Sequence, residues 1–202
     1  LQAGNGNNQV LYGEGDDDSL RGGNGVDQQL AGDAGNDTLV AGGGVNQLLS
    51  GGEDNDSIIG DDIANELNGG DGNDTLIGGL GNDTLDGGDD TDLASYAGAT
   101  NAITVDLGTG SSAGAHGNDV LSNIENVLGG DGNDYIIGND IANELSGGDG
   151  NDTLLGGLGN DTLDGGNGTD LVSYAGAAGS IIVDLGAGSS AGEHGSDALS
   201  NI

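Results

Sequence analysis

An apolar residue returns every nine or ten positions along this chain. Leu11, Leu20, Leu30, Leu39, Leu48, Ile58, Leu67, Leu76 and Leu85 mark the first part, and mostly Gly, Asn and Asp lie between them. The interval then locks at nine: residues 69–77 read GGDGNDTLI, 78–86 read GGLGNDTLD and 87–95 begin GGDDTD. Starts at Gly51 and Gly60 extend the register backwards, and Gly129, Gly138, Gly147, Gly156 and Gly165 extend it forwards. Each nonapeptide has two halves. Glycines at positions one, two and four favour a tight turn, because they tolerate positive φ and close backbone approach. The last three residues carry one apolar side chain between two others, which suits a very short strand with one side chain turned inward. Two nonapeptides form one coil of about 18 residues, and coils stack at the strand spacing of about 4.8 Å. The pattern predicts an all-β solenoid with two short strands per coil.

A longer period lies over the short one. Residues 51–124 align with 129–202 at an offset of 78, with 57 of 74 positions identical. This divides the chain into a looser N-terminal array (1–50), one complete unit (51–128) and a second copy (129–202). Within the first unit, 51–95 follow the nonapeptide and 96–128 drop it. Ala102–Leu107 and Val120–Val127 read there as longer strands, with counterparts at Ser180–Leu185 and Ala198–Ile202. The simplest reading of 96–128 is a wider coil that continues the stack.

Composition sharpens the picture. The 202 residues include 47 Gly and 35 acidic side chains against one basic residue, Arg21, for a formal charge of −34. Cys, Pro, Met, Trp and Phe are absent. That excludes a disulfide framework and a thiol nucleophile. It also excludes binding to nucleic acid by phosphate neutralisation. No apolar run approaches the roughly 18 residues of a membrane helix. No signal-peptide pattern follows Leu1, so the chain reads as an internal piece of a longer protein. Acidic, glycine-rich chains are often disordered, but disorder does not need so strict a register.

Stacking sets like charges in columns, Asp56 with Asp74 and Asp92, and Asp134 with Asp152 and Asp170. Two carboxylates about 5 Å apart repel by roughly 3 kcal/mol at an effective dielectric of 20. One inward Leu or Ile per turn is a small hydrophobic return, so a cation must offset the deficit. Carboxylate and carbonyl oxygens in a flexible cage of six to eight ligands suit calcium; magnesium demands a stricter octahedron. Zinc prefers Cys or His, and only His116 and His194 exist. Folding coupled to calcium follows.

The strings GGDGNDTLI and GGLGNDTLD resemble the RTX (repeats-in-toxin) nonapeptide GGxGxDxUx, a hemolysin-type calcium-binding repeat. The resemblance covers nearly the whole chain and is most specific in 69–92 and 129–170. It implies a parallel β-roll holding several calcium ions between turns. It also implies type I secretion, unfolded inside the cell and folding outside. Carried over by position, the sixth-position carboxylates Asp74, Asp83, Asp92, Asp134, Asp152, Asp161 and Asp170 are ligands, joined by Asp56 and Asp37. The resemblance completes each cage with turn carbonyls, at Gly69 and Asp71, Gly78 and Leu80, Gly87 and Asp89, Gly129 and Asp131, Gly147 and Asp149, Gly156 and Leu158, and Gly165 and Asn167.

Departures mark weaker turns. Asn65 and Asn143 hold the sixth position in turns where Ile63 and Ile141 replace Gly. Asp54 and Asp90 replace a fourth-position Gly. Near the N-terminus Asn46 stands at position six, leaving Asp37 and Asp18 as usable carboxylates. His116 and His194 are equivalent turn residues, better read as surface positions than as catalytic groups. No nucleophile elbow is present. Tyr96 and Tyr174 read as core aromatics that close a roll. The expected function is a non-enzymatic calcium-binding spacer or scaffold of a large secreted or cell-surface bacterial protein, adhesin-like in its repetition. The alternative is a non-catalytic accessory module of a secreted protease, lipase or polysaccharide-modifying enzyme. Expected partners are calcium and neighbouring repeats, without nucleic acid or membrane insertion. Self-association or a surface polymer stays open.

Overall fold

The computed structural model describes residues 1–202 and consists of strands and turns without a helix. The parallel β-roll expected from the nonapeptides is the fold. Two compact units divide the chain: Leu1–Ser95 with His116–Ile124, and Tyr96–Ala115 with Glu125–Ile202.

In the first unit one sheet orders Val10–Gly15, Gln29–Ala34, Gln47–Glu53, Asn65–Asp71, Thr84–Asp89 and Val120–Ser122 side by side. The other orders Ser19–Arg21, Thr38–Val40, Ser57–Ile59, Thr75–Ile77 and Leu93–Ser95. All these neighbours pair in parallel. Register keeps the eighth-position residues in columns: Leu39, Ile58, Leu76 and Ala94 on one side, Leu30, Leu49, Leu67, Leu85 and Leu121 on the other. These side chains are buried and form the core. Burying each Leu or Ile is worth about 1.5–3 kcal/mol.

The strands of the two sheets differ in length. Three residues suffice in the second sheet, whereas Asn65–Asp71 has seven because the glycines opening the next turn also pair. Gly52, Gly70 and Gly88 stack there in register. Gly70 has φ +120°, and a Cβ on it would strike the Gly52 carbonyl. Only Gly meets both conditions.

The N-terminal array is more regular than its sequence suggests. Leu49, not Leu48, is the inward residue, in register with Leu30 and Leu67. Ala41 stacks opposite Gly60 and Gln47 opposite Asn65, so the turn starts at Ala41 and Gln47 takes the sixth-position place. Asn46, expected there, is exposed with φ +56°, and Gln47 is buried. The looseness reduces to one extra residue in each of three turns, Asn8, Asp27 and Asn46, with φ of +54°, +55° and +56°.

The second unit repeats the design. One sheet orders Ser111–Gly114, Ile103–Asp106, Tyr135–Ile137, Thr153–Leu155 and Leu171–Val172; the other orders Asn126–Leu128, Glu144–Gly150, Thr162–Gly168, Ala198–Ser200, Ser189–Gly192 and Ile181–Asp184. Here the reading of 96–128 as one wider coil needs correction. Ile103–Asp106 and Ser111–Gly114 form an antiparallel hairpin, and its first strand pairs in parallel with Tyr135–Ile137. The expected strand 120–127 is two strands, Val120–Ser122 and Asn126–Leu128, parted at Asn123, whose φ is +50°.

Candidate metal centre

Sixth and eighth positions of a nonapeptide lie on the same face of the strand, because side chains alternate with period two. The same geometry that buries Leu76 therefore buries Asp74. Asp37, Asp56, Asp74, Asp83, Asp92, Asp134, Asp152 and Asp161 are each at most 3 % exposed, and Asp170 is half-buried.

One oxygen of each buried carboxylate has a fixed partner, a backbone N–H of the neighbouring coil. Asp18 N–H donates to Asp37 Oδ1, Asp37 N–H to Asp56 Oδ1, Asp56 N–H to Asp74 Oδ1 and Asp74 N–H to Asp92 Oδ1, each at 2.7 Å. In the second unit Asp134 N–H donates to Asp152 Oδ1 at 2.7 Å and Asp152 N–H to Asp170 Oδ1 at 2.8 Å. The expected columns are thus continuous ladders.

The other oxygen defines the site. Oδ2 of Asp37, Asp56, Asp74, Asp83, Asp152 and Asp161 is buried without a hydrogen-bond partner. A buried carboxylate oxygen without a partner is costly. In the turns at Asp37, Asp56, Asp74 and Asp152, that oxygen and the next coil's carbonyl converge on the first-position glycine. A Cβ on Gly69 would strike both Asp74 Oδ2 and the Gly87 carbonyl; one on Gly147 would meet Asp152 Oδ2 and the Gly165 carbonyl. Gly32 and Gly51 repeat the cradle with Asp37 and Asp56. Nowhere do three or more Asp, Glu or His side chains converge. The donor set is one carboxylate oxygen among backbone carbonyls, which are hard oxygen ligands fit for calcium.

Burial is also the main electrostatic event. It raises the Asp56 and Asp83 carboxyls to about 7 and Asp161 to about 6, against the lowering effect of the backbone N–H bonds. Asp37, Asp74 and Asp152 are raised for the same reason. Without a cation Asp56, Asp83 and Asp161 hold their protons well above the usual carboxylate range.

The first-position glycines Gly69, Gly78, Gly87, Gly129, Gly147, Gly156 and Gly165 are buried. The third-position residues Asp71, Leu80, Asp89, Asp131, Asp149, Leu158 and Asn167 are exposed, so their share in a cage would be the backbone carbonyl. Asp134 differs from its column mates. Its Oδ1 accepts from Ile103 N–H at 3.0 Å and its Oδ2 from Gly130 N–H at 2.8 Å.

Two buried carboxylates escape the sequence reading. Asp119 and Asp197 continue the columns of Asp83 and Asp161: Asp83 N–H donates to Asp119 Oδ1 at 3.0 Å, and Asp161 N–H to Asp197 Oδ1 at 3.1 Å. Asn118 N–H accordingly donates to the Asn82 side chain at 2.8 Å. The signal was present in GAHGNDVLS (114–122) and GEHGSDALS (192–200), nonapeptides with Gly at one and four, Asp at six and Leu at eight. Only the second glycine is missing.

Asp197 ends its column differently. Its Oδ2 accepts from Tyr174 OH at 2.9 Å and Ser190 Oγ at 2.7 Å. Burial and then the Asp197 charge push the Tyr174 hydroxyl up to about 12. His194 sets its ring edge-on to Tyr174, 6.2 Å between centroids. Tyr96 is buried, and Arg21 is exposed.

A β-solenoid with inward carboxylates and carbonyl-lined turns is a cation-binding scaffold by construction. The RTX calcium-binding nonapeptide repeat matches residues 3–28, 29–58, 46–62, 59–94, 121–140 and 137–172, and the chain belongs to that family. Its repeats bind calcium, and such folds are typically non-catalytic. No curated protein matches the chain.

Proposed function

We propose that this chain is a calcium-dependent structural module of a secreted or cell-surface bacterial protein, folding outside the cell and serving as a stiff spacer or scaffold. The supporting observation is the set of buried, partnerless Oδ2 atoms in a chain whose charge is −34. Asp37, Asp56, Asp74, Asp83, Asp152 and Asp161, with first- and third-position carbonyls, would hold the ions. Calcium would supply the positive charge that the sequence lacks. Low calcium inside the cell would leave the carboxylates repelling one another and the chain unfolded. The 51–128 and 129–202 copies would act as successive lengths of one spacer, since stacked repeats contact only their neighbours.

The test is a calcium titration of chelator-treated protein followed by far-UV circular dichroism, with magnesium as control. Coil converting cooperatively to β structure with calcium alone is the expected result. Full β structure in chelator would reduce calcium to an accessory and end the coupled-folding reading.

A further inference from the structure

The two sides of the first unit are chemically unequal. Turns leading into Ser19–Arg21, Thr38–Val40, Ser57–Ile59, Thr75–Ile77 and Leu93–Ser95 carry Asp18, Asp37, Asp56, Asp74 and Asp92 at the sixth position. The opposite turns, leading into Val10–Gly15, Gln29–Ala34, Gln47–Glu53 and Asn65–Asp71, carry Gln9, Gln28, Gln47 and Asn65. Gln28, Gln47 and Asn65 are buried like the carboxylates across the roll.

Gln47 shows what the amide does. Its Nε2 donates to the Gly42 carbonyl at 2.6 Å and the Gly44 carbonyl at 2.8 Å, and lies 3.0 Å from Asp61 Oδ2. Its Oε1 accepts from Gly42 N–H at 2.8 Å. Gly42 and Gly44 belong to the same turn, so two backbone carbonyls and the Asp61 carboxylate surround the amide nitrogen. The amide N–H₂ thus occupies the donors' centre, with a partial positive charge and two protons in place of a cation. Gln28 Nε2 donates to the carbonyl of Gly6, a turn glycine of the preceding coil, at 2.7 Å. In the second unit Asn143 Nδ2 donates to the Glu125 carbonyl at 2.7 Å, while its Oδ1 accepts from Asn139 N–H at 2.8 Å.

We infer that the sixth-position glutamines, Gln47 foremost, are internal substitutes for calcium. They close their turns without an ion and so determine which turns bind one. Ion binding is then one-sided along the turns closed by Gln28 and Gln47, and two-sided where carboxylates follow one another, as at Asp74, Asp83 and Asp92 and at Asp152, Asp161 and Asp170. This rests on the proposed calcium binding and adds a map of where calcium is refused. The Asn turns differ, since Asn65 Oδ1 and Asn143 Oδ1 face the first-position glycines Gly60 and Gly138 as an aspartate oxygen does in other turns.

The experiment counts calcium ions per chain by native mass spectrometry, in the full chain and in the variants Gln47→Asp, Gln28→Asp and Asp56→Asn. The expected result is one ion gained in each amide-to-carboxylate variant and one lost in Asp56→Asn. Two separate gain variants guard against one failing to fold. Unchanged counts in Gln47→Asp and Gln28→Asp, alongside a loss in Asp56→Asn, would overturn the inference and leave the calcium reading intact. A parent chain without bound calcium would remove both, and Asp56→Asn would then have nothing to lose.

Discussion

The backbone N–H of Asp56 donates to Oδ1 of Asp74, eighteen residues further on, at 2.7 Å. One carboxylate thereby carries two duties. Oδ1 ties its coil to the one before, and the partnerless Oδ2 faces the glycine cradle. Substitutions at Asp74 separate the duties. Asp74→Asn keeps a carbonyl-type acceptor for Asp56 and is expected to lose an ion with little change in the chelated state. Asp74→Ala also leaves the Asp56 N–H unpaired, costing about 1–3 kcal/mol more. Calcium counts and chemical denaturation of both variants, in calcium and in chelator, check this; equal behaviour would contradict the division of duties.

Acid should replace calcium in part. Folded Asp56 and Asp83 titrate at about 7, against an ordinary value of 3.8. The folded chain therefore binds more protons than the unfolded one between those values. In chelator this contribution to stability is complete below 3.8 and is lost as pH rises through about 7. Thermal melts in chelator should show a higher Tm at pH 5 than at pH 8. In calcium the order should reverse, since protons compete with the ion.

Leu76 is fully buried between Ile58 and Ala94. Leu76→Ala is expected to cost about 2–5 kcal/mol, read as a lower denaturant midpoint at saturating calcium. Gly70→Ala should be as harmful despite adding one methyl, because its Cβ would strike the Gly52 carbonyl at φ +120°. Full stability of Gly70→Ala would show that neighbouring coils can part to admit a side chain.

Tyr174→Phe removes one of the two hydroxyls on Asp197 Oδ2 and leaves Ser190. A loss of about 1–2 kcal/mol is expected. Hydrogen exchange should locate the loosening in residues 189–200. Loosening elsewhere, or none, would deny the hydroxyls their role in closing the column.

Period and chemistry of the coil were legible in the residues alone. A nine-residue interval with Gly at one, two and four, Asp at six and Leu at eight has one compact solution. Alternation along an extended backbone then sends Asp74 and Leu76 inward together. The buried acidic columns and their need for a cation follow from that alternation, so most sixth-position carboxylates could be named before any coordinates. Tertiary structure decided matters that depend on distant neighbours. Leu48 and Leu49 are both apolar, and only stacking on Leu30 and Leu67 selects Leu49, bringing Gln47 inward in place of Asn46. Asp119 lies 36 residues beyond Asp83, twice the ordinary coil interval, because residues 96–115 belong to the second unit. A local pattern holds no record of such a detour. What fills a cradle is likewise settled by reach in space: Gln47 finds two carbonyls where Asp74 Oδ2 finds no partner.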